Sequence, residues 1–520
     1  MSQRQYPKIH PAGSDASRPI SFVTVRFSDD YLHNILRSEC VHDALNELIT
    51  IDNRKNLFFD NLGQAINAGL ERARNELIAV VHEDVLLPTG WQQRLERSLS
   101  ELEGSDPDWG LLGSVGWDAR NDLIGHWSDP YVYRNTFSER DFEPVRTIDE
   151  QLMLFRRSTG LRLDEFLPSI HGIGRDLAST LGERGLRTYV INAPTIHKYA
   201  NEQGMTITVR EESPKIVGRE LPSFAADWDC CEEYLAIKWP EWRSSDQHAP
   251  QWDHVRFSED IRRSLEEPVI LLSRGGSGSR LVSSLARDAG VFLGNEVSLS
   301  GDSSEMVRAI YMAVLNRHLH RVGWQKEGIV PRIRLAAAEM LERAPSRPLL
   351  WGFKLPESLL ILPELDQAFS RARYLHLIRD PLTTCLRRTH MTARLDNTIG
   401  RLAIREAYRH SGRDLSRSLE DSPALRMAFT TLHQLKMGRK YALEHFDDRY
   451  HELRFEDLLS SPGRVLAGVG RWLGVQPTND SIAREIDQDR AARPSAIYAP
   501  LIEERVAATL EPLRRELGYL

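Results

Sequence analysis

The stretch PVILLSRGGSGSRLVSSLARDAGVFLG, from Pro268 to Gly294, decides how the second half of the chain is interpreted. An apolar run is followed by glycines and serines and then by apolar residues at helical spacing, which predicts a strand, a tight turn and a helix. The backbone N–H groups of such a turn converge near the positive end of the helix dipole, so the turn favours a phosphate. The turn comprises Gly275, Gly276, Ser277, Gly278 and Ser279, with Arg274 and Arg280 on either side.

Two common phosphate-binding loops do not fit this stretch. A Walker A loop requires a lysine after its last glycine, and no lysine stands in the turn. A dinucleotide-binding turn requires a third glycine, which is also missing. From these residues alone, a different phosphate site and a plain glycine-serine loop without a ligand both remain open.

Two α/β patterns divide the 520-residue chain, one beginning at Ile20–Phe27 and the other at Pro268. A stretch rich in tryptophan and acidic residues separates them. Alternating strands and helices predict parallel, doubly wound sheets. We therefore predict an α/β protein with two tandem domains. The predicted segments are a disordered leader at 1–18, a first domain at 19–205, a connector at 206–265 and a second domain at 266–520.

Composition excludes several classes of protein. The chain is 41% hydrophobic and 27% charged, with a net charge of −7. No apolar run reaches the roughly 18 residues of a membrane span, and no basic excess predicts nucleic-acid binding. The four cysteines form no CxxC pair, so neither a disulfide framework nor a zinc site is expected. A reducing, cytoplasmic location fits this usage.

Two later motifs add a family resemblance to the second half. RYLHLIRDPLTTCLRR (Arg373–Arg388) and RFEDLLSSP (Arg454–Pro462) follow the glycine-rich stretch, and this order resembles the sulfotransferase family. The resemblance covers about Pro268 to Val475. It implies a P-loop-like fold with a parallel sheet. It also implies transfer of a sulfuryl group from 3′-phosphoadenosine 5′-phosphosulfate to a hydroxyl.

The same resemblance implies which residues hold the sulfate donor. Arg274 to Ser279, continuing into Arg280, match the loop for its 5′ end, and Arg379 matches the arginine for its 3′-phosphate. The family usually has a serine eight residues beyond that arginine, where this chain has Arg387. An arginine can bind phosphate through two parallel hydrogen bonds, so Arg387 is also predicted to bind the sulfate donor.

Sulfuryl transfer also requires a base for the acceptor hydroxyl and cations for the negative charge. Arg274 and Lys354 are the predicted cations, although a surface lysine is the alternative for Lys354. By resemblance, the base follows the first helix of the domain. Glu296 is the predicted base, with Asp302 and Glu305 as its competitors, and binding of the acceptor is the alternative role for Asp302.

The first half resembles a second family. AVVHEDVLLPTGW (Ala79–Trp91) places His82, Glu83 and Asp84 at the end of an apolar strand, where acids can hold a divalent cation against a diphosphate. NLGQAINAGLERARNELIAVVHEDV (Asn61–Val85) resembles the glycosyltransferase family 2 pattern. This resemblance implies a GT-A, Rossmann-like fold over about Pro19 to Asn201 and a nucleotide-sugar donor.

By that resemblance, Asp52 contacts the nucleoside of the sugar donor, and Asp84 and His197 bind Mn²⁺ or Mg²⁺. Asp176 is the predicted base of sugar transfer. Its competitors are Asp149, Glu150 and His171. The chain departs from the family at His82, which occupies the first position of the metal-binding motif, and a core histidine is the alternative for His197.

Together the two resemblances predict a bifunctional transferase of polysaccharide biosynthesis. It would act on a glycan or glycolipid acceptor, with peripheral membrane association through that acceptor left open. The main alternative is a sulfotransferase fused to a degenerate glycosyltransferase-like module that only binds carbohydrate. The sequence also leaves open a nucleotide kinase and a non-catalytic scaffold, and the missing Walker lysine argues against the kinase.

Overall fold

Strands and helices alternate in both halves of the chain. The computed structural model describes residues 17–128, 133–137, 140–168, 170–198, 222–242, 259–318, 326–346, 348–387, 389–477, 486 and 500–520. The chain divides into an N-terminal unit of residues 1–219 with 231–247 and a C-terminal unit of residues 220–230 with 248–520. Within the predicted leader and connector, residues 1–16, 206–221 and 243–258 lie outside the described residues.

The N-terminal unit contains a large mixed sheet and two smaller sheets. Its strands are β1 (Ile20–Arg26), β2 (Glu47–Asp52), β3 (Leu77–Val81), β4 (Val85–Leu86), β5 (Trp109–Gly113), β6 (Val115–Trp117), β7 (Leu123–Ser128), β8 (Tyr133–Asn135), β9 (Phe142–Pro144), β10 (Thr147–Ile148), β11 (Leu152–Arg156), β12 (Arg187–Ile191) and β13 (Ile196–His197). Its helices are α1 (Asp30–His33), α2 (Leu62–Leu70), α3 (Trp91–Ser105) and α4 (Ile173–Gly182), and the division between the units falls within α5 (Pro222–Lys238).

The large sheet has the order β2-β1-β3-β11-β5-β12-β9. The predicted parallel pairing holds for β1 with β2 and β3 and for β5 with β12, whereas β11 is antiparallel to β3 and β5. Between β5 and β11 the described residues form β9 and the small antiparallel sheet β10-β6-β7-β8, with no helix among them, and β11 enters the large sheet in the opposite direction. The parallel sheet predicted for this unit is therefore mixed, with parallel pairs on either side of the antiparallel strand β11.

The C-terminal unit is built on one parallel sheet, as predicted. Its strands are β14 (Val269–Ser273), β15 (Val291–Phe292), β16 (Leu350–Lys354), β17 (Arg373–Ile378) and β18 (Tyr450–Arg454), in the order β15-β16-β14-β17-β18. All the described pairs in this sheet are parallel. The carboxyl ends of these strands therefore meet at one edge.

Helices cover both faces of this sheet. They are α6 (Glu259–Leu265), α7 (Ser279–Asp288), α8 (Ser304–His318), α9 (Ile329–Glu342), α10 (Leu362–Ala368), α11 (Pro381–Arg387), α12 (Thr398–Ser411), α13 (Arg417–Glu420), α14 (Pro423–His445), α15 (Phe455–Ser460), α16 (Pro462–Leu473) and α17 (Pro500–Glu516). On β14, Ile270 and Leu272 pack into one apolar cluster and Val269 and Leu271 into another. Burial on both faces explains why this strand reads as a continuous apolar run.

Among the described residues, no helix is both long enough and apolar enough to span a bilayer.

Candidate functional site

The glycine-rich turn lies between β14 and α7, as the sequence predicts. Ser273 ends the strand, Ser279 begins the helix, and the backbone N–H of Ser277 donates to Arg274 O at 3.0 Å. Gly276 and Gly278 have φ angles of +93° and +96°, which a residue with a Cβ adopts at a cost. The sequence therefore places glycine where the turn needs it.

Ser277 supplies an unused hydroxyl inside the turn. Its side chain is buried, and among the described residues its Oγ has no hydrogen-bond partner. A buried polar atom without a partner costs about 1–3 kcal/mol. A ligand oxygen held by the turn would satisfy this hydroxyl, so the residues present fit an anionic group.

Phe455 connects the turn with Arg379. Arg379 follows β17 directly, and its guanidinium carbon lies 4.2 Å from the centre of the Phe455 ring. Phe455 follows β18 directly, and its ring lies so close to Gly278 that an added Cβ would be 2.8 Å from Phe455 Cδ2. The three predicted motifs of the C-terminal half thus meet at one aromatic ring. In the sequence the third motif is only a family marker, and nothing there singles out Phe455.

Arg274 points into the protein interior. Its Nε donates to Thr431 Oγ1 at 3.1 Å, and its two terminal nitrogens contact the acceptors Thr392 Oγ1, His390 Nδ1, Thr430 Oγ1 and Met427 Sδ. A guanidinium has five N–H donors, so protein atoms engage the whole set. Burial lowers the pKa of Arg274 to about 10. In this structure Arg274 anchors the start of the turn, and its predicted contact with the donor stays a prediction.

His390 and Glu357 form a largely buried pair beside the turn that the sequence did not predict. A Cβ added at Gly275 would overlap the His390 ring. Thr392 N–H donates to His390 Nδ1 at 3.3 Å, which leaves the neutral ring's proton on Nε2, 3.9 Å from Glu357 Oε1. That oxygen has no hydrogen-bond partner among the described residues. No motif signals this pair, because Glu357 belongs to the segment after β16 and His390 to the segment after α11.

The environment of Glu357 suits proton transfer. Burial raises the pKa of Glu357 to about 7, with the Asp302 carboxylate adding to the effect and Lys354 and Arg274 opposing it. A carboxyl group with a pKa near the working pH can accept and release a proton.

The remaining predicted residues of this half are spread along the same sheet edge and beyond it. Lys354 ends β16 and is buried, with its Nζ 2.6 Å from Asp302 Oδ1 and 3.0 Å from Ser300 O. Arg280 lies in the first turn of α7 and Arg387 ends α11, and both are partly exposed. Glu296 is exposed. Glu305 accepts hydrogen bonds from the backbone and side-chain nitrogens of Asn295 and so fixes the turn before α8.

In the N-terminal unit, His82, Asp84 and His197 converge. One ligand atom of each lies within 4.8 Å of the others, and all three side chains are partly exposed. His197 Nε2 is 3.3 Å from Asp84 Oδ1. Burial alone would raise the pKa of Asp84, but His197 and His82 reverse the effect and leave it well below its usual value. The predicted pair of Asp84 and His197 is thus brought together, and His82 joins it.

Glu83 and Asp52, two further acids of this unit, have protein partners. Glu83 accepts from Phe27 N and from the backbone and hydroxyl of Ser28, so it secures the end of β1. Asp52 ends β2 and accepts three hydrogen bonds from the Arg54 side chain. Because β1, β2 and β3 are parallel, Asp52 lies at the sheet edge that also carries His82.

The predicted base Asp176 is buried and contacts the C-terminal end of α5. Its Oδ1 accepts from Trp239 Nε1 at 2.7 Å and lies 2.6 Å from Lys238 Nζ. Burial raises the pKa of Asp176, although Lys238 opposes the shift. Glu150, one of its competitors, is partly exposed, and burial together with the Asp149 carboxylate raises its pKa to about 7. His171 is also partly exposed, and its carbonyl accepts from Cys231 Sγ.

Comparison with known proteins identifies the family of one segment. Residues 304–480 match the model described as the sulfotransferase family, so the C-terminal part contains a sulfotransferase domain. The matched segment includes Lys354, Arg379 and Phe455 but begins after the glycine-rich turn. A search of curated proteins finds no match. Nothing in the comparisons supports a GT-A domain in the N-terminal half.

Several solved structures are similar to this chain at low identity. The sulfotransferase domain from the curacin biosynthetic pathway is 15% identical, with 48% of this chain and 98% of that chain covered and a TM-score of 0.28. Sulfotransferase STF1 from Mycobacterium tuberculosis H37Rv is 13% identical, with 57% and 88% covered and a TM-score of 0.32. Mouse sulfotransferase SULT7A1 complexed with PAP is 14% identical, with 48% and 77% covered and a TM-score of 0.23. TM-scores of this size do not define a fold.

Proposed function

We propose that the C-terminal unit transfers a sulfuryl group from 3′-phosphoadenosine 5′-phosphosulfate to a hydroxyl of a glycan or glycolipid. The observation that carries the proposal is the meeting of the glycine-rich turn and Arg379 at Phe455. A donor with phosphates on both the 3′ and the 5′ position of its ribose needs two anion sites on one edge of the sheet. The turn supplies backbone N–H groups and the Ser277 hydroxyl, and Arg379 supplies a cation.

In the proposed reaction the acceptor oxygen attacks the sulfur atom while the bond between sulfur and the bridging phosphate oxygen breaks. The acceptor proton goes to a base, and adenosine 3′,5′-bisphosphate leaves. Arg280, Lys354 and Arg387 would add positive charge near the leaving phosphate groups. Arg274 would act through the turn that it anchors, since its N–H groups are engaged by protein atoms.

Two carboxylates are candidates for the base. Glu296 is the residue expected from the sequence, and its exposed side chain is accessible to an acceptor. Glu357 has the raised pKa and lies beside His390, which packs against Gly275. Glu296→Gln and Glu357→Gln distinguish them, because only loss of the true base abolishes the acidic limb of the pH profile of kcat.

We propose sugar transfer from a nucleotide sugar as the function of the N-terminal unit. Asp52 ends β2 and His82 follows β3, the two strands that flank β1 in parallel, and Asp84 and His197 lie close to His82. This placement supports a site for a nucleoside diphosphate. A divalent ion held by Asp84 and His197 would neutralise charge on the diphosphate leaving group. Asp176 and Glu150 are the candidate bases. The rival proposal is a module that binds carbohydrate without transferring sugar.

The experiment uses the full chain with a sulfate-labelled donor, a panel of nucleotide sugars and a panel of glycans. Labelled glycan, identified by mass spectrometry and lost in Arg379→Ala, supports sulfuryl transfer. No labelled product combined with no binding of adenosine 3′,5′-bisphosphate contradicts it. Sugar-nucleotide hydrolysis lost in Asp84→Ala supports sugar transfer, and glycan binding without turnover supports the module.

A further inference from the structure

The cluster of His82, Asp84 and His197 differs in chemistry from an all-carboxylate magnesium site. It offers two imidazole nitrogens and one carboxylate oxygen. We propose that this cluster binds a transition-metal ion of the Mn²⁺ to Zn²⁺ series in preference to Mg²⁺, with His82 as a direct ligand. The inference concerns the identity of the ion and does not depend on sugar transfer by this unit.

The backbone around the three side chains is fixed by hydrogen bonds. His82 follows β3, and its N–H donates to Gln151 O at 3.2 Å while its carbonyl accepts from Val85 N–H at 3.2 Å. Asp84 O accepts from Lys198 N–H at 2.6 Å, and His197 is paired with Val85 in the β4–β13 sheet. The ligands therefore come from two short segments that are tied to each other, and little ordering is needed when an ion binds.

The spacing of the side chains fits short metal–ligand bonds. Ligand atoms about 2.0–2.1 Å from a tetrahedral ion lie about 3.3 Å from each other. Asp84 Oδ1 and His197 Nε2 are 3.3 Å apart. The ligand atoms of the three residues, His82 included, lie within 4.8 Å of each other, so binding of the ion would draw His82 closer to the other two ligands.

The donor atoms decide which ion is preferred. Mg²⁺ prefers oxygen ligands in octahedral geometry, whereas imidazole suits Zn²⁺, Fe²⁺, Co²⁺ and Ni²⁺. Glu83, the acid between the two ligands in sequence, cannot restore an oxygen-rich set, because its carboxylate accepts from Phe27 and Ser28. Three protein ligands leave coordination positions for diphosphate oxygens or water.

The test is a metal titration of the full-length protein after removal of metals with a chelator. Calorimetry with Zn²⁺, Co²⁺, Mn²⁺ and Mg²⁺ gives the affinities, and the visible absorption of Co²⁺ reports nitrogen coordination. We expect one site, affinity in the order Zn²⁺ and Co²⁺ above Mn²⁺, and Mg²⁺ weaker by more than about 100-fold. Equal affinity for Mg²⁺ and Mn²⁺, or no binding by the wild type, overturns the proposal.

Variants separate direct ligation from a neighbouring role. His82→Ala and His197→Ala should each weaken Co²⁺ binding by at least about tenfold and change its spectrum. His82→Asp should bring Mg²⁺ and Mn²⁺ closer in affinity. The control His42→Ala removes an exposed histidine of the same unit outside the cluster and should bind as the wild type does. Circular dichroism confirms folding, and an unchanged Co²⁺ spectrum in a folded His82→Ala protein refutes the role of His82. Metal binding without any sugar transfer would leave this inference standing while the proposed sugar transfer fails.

Discussion

Phe455 makes Gly278 a sensitive position in the glycine-rich turn. Gly278 has a φ of +96°, and a Cβ there would lie 2.8 Å from Phe455 Cδ2 and 3.2 Å from Cζ. The same ring contacts Arg379, whose guanidinium carbon is 4.2 Å from the ring centre. Replacing Gly278 with alanine therefore strains the turn and displaces the ring that carries Arg379.

The size of the effect follows from these two contributions. A left-handed backbone costs a residue with a Cβ about 1–2 kcal/mol, and overpacking a filled space costs about 1–3 kcal/mol. We expect Gly278→Ala to lower the free energy of unfolding by about 2–5 kcal/mol. Gly290→Ala is the matched control, since Gly290 follows α7 with a φ of +87° and has nothing within 4 Å of an added Cβ. It should lose only the backbone contribution of about 1–2 kcal/mol.

Urea unfolding measures stability, and calorimetric titration with adenosine 3′,5′-bisphosphate measures the donor site. Gly278→Ala should bind the bisphosphate at least about tenfold more weakly, which corresponds to about 1.4 kcal/mol. Gly290→Ala should bind it like the wild type. Adding Phe455→Leu to Gly278→Ala should recover part of the lost stability, because the smaller side chain makes room for the Cβ. Equal losses of stability and affinity in Gly278→Ala and Gly290→Ala would refute the reasoning.

Three further predictions concern the same unit. Arg274→Met should lower the free energy of unfolding by about 2–4 kcal/mol in urea titrations, because buried threonine hydroxyls lose their donor; unchanged stability with lost bisphosphate binding would instead make Arg274 a phosphate ligand. Arg379→Lys should weaken bisphosphate binding about 10–100-fold in calorimetry, since a lysine loses the paired hydrogen bonds and the stacking on Phe455, and a loss below about twofold contradicts the role of Arg379. Burial raises the pKa of Glu357 from 4.5 to about 7, so its neutral form stabilises the folded state at low pH, and this contribution of about 3 kcal/mol is lost as pH rises from about 4.5 to 7. Between pH 5 and pH 7.5, the free energy of unfolding measured in urea should fall less for Glu357→Gln than for the wild type. The same pH dependence in both proteins would contradict this.

Much of the fold could be predicted from local patterns. The apolar runs that become β1, β3, β14 and β17 bury nearly every side chain, and the glycines at 276 and 278 mark the turn. The direction of β11 could not be predicted, because it depends on the small antiparallel sheet that precedes it and on no feature of the strand itself. A strand's sequence encodes burial but not the direction in which it enters the sheet.

Residues of the candidate sites could be predicted from the sequence only where they lie within a recognisable motif. Arg379 and the turn are consecutive in sequence with a strand, so their place at the sheet edge follows from parallel topology. The pair of Glu357 and His390 and the contact of Phe455 with Gly278 join segments that are far apart along the chain. His82 is visible in the sequence only as a departure from a family pattern, and its convergence with Asp84 and His197 needed the β4–β13 pairing.

The order of strands in the C-terminal sheet has a consequence for synthesis. β14 lies in the middle of the sheet, and its neighbours arrive late, since Val269 pairs with Gly352 and Arg373. β17 in turn pairs with β18, with Tyr374 opposite Tyr450. During translation, the apolar strands β14 and β17 therefore do not have all their sheet neighbours until the residues of β18 have been synthesised. Translation that stops before Tyr450 releases a chain whose β17 edge is available for pairing with other molecules, and such a product should depend on chaperones to stay in solution.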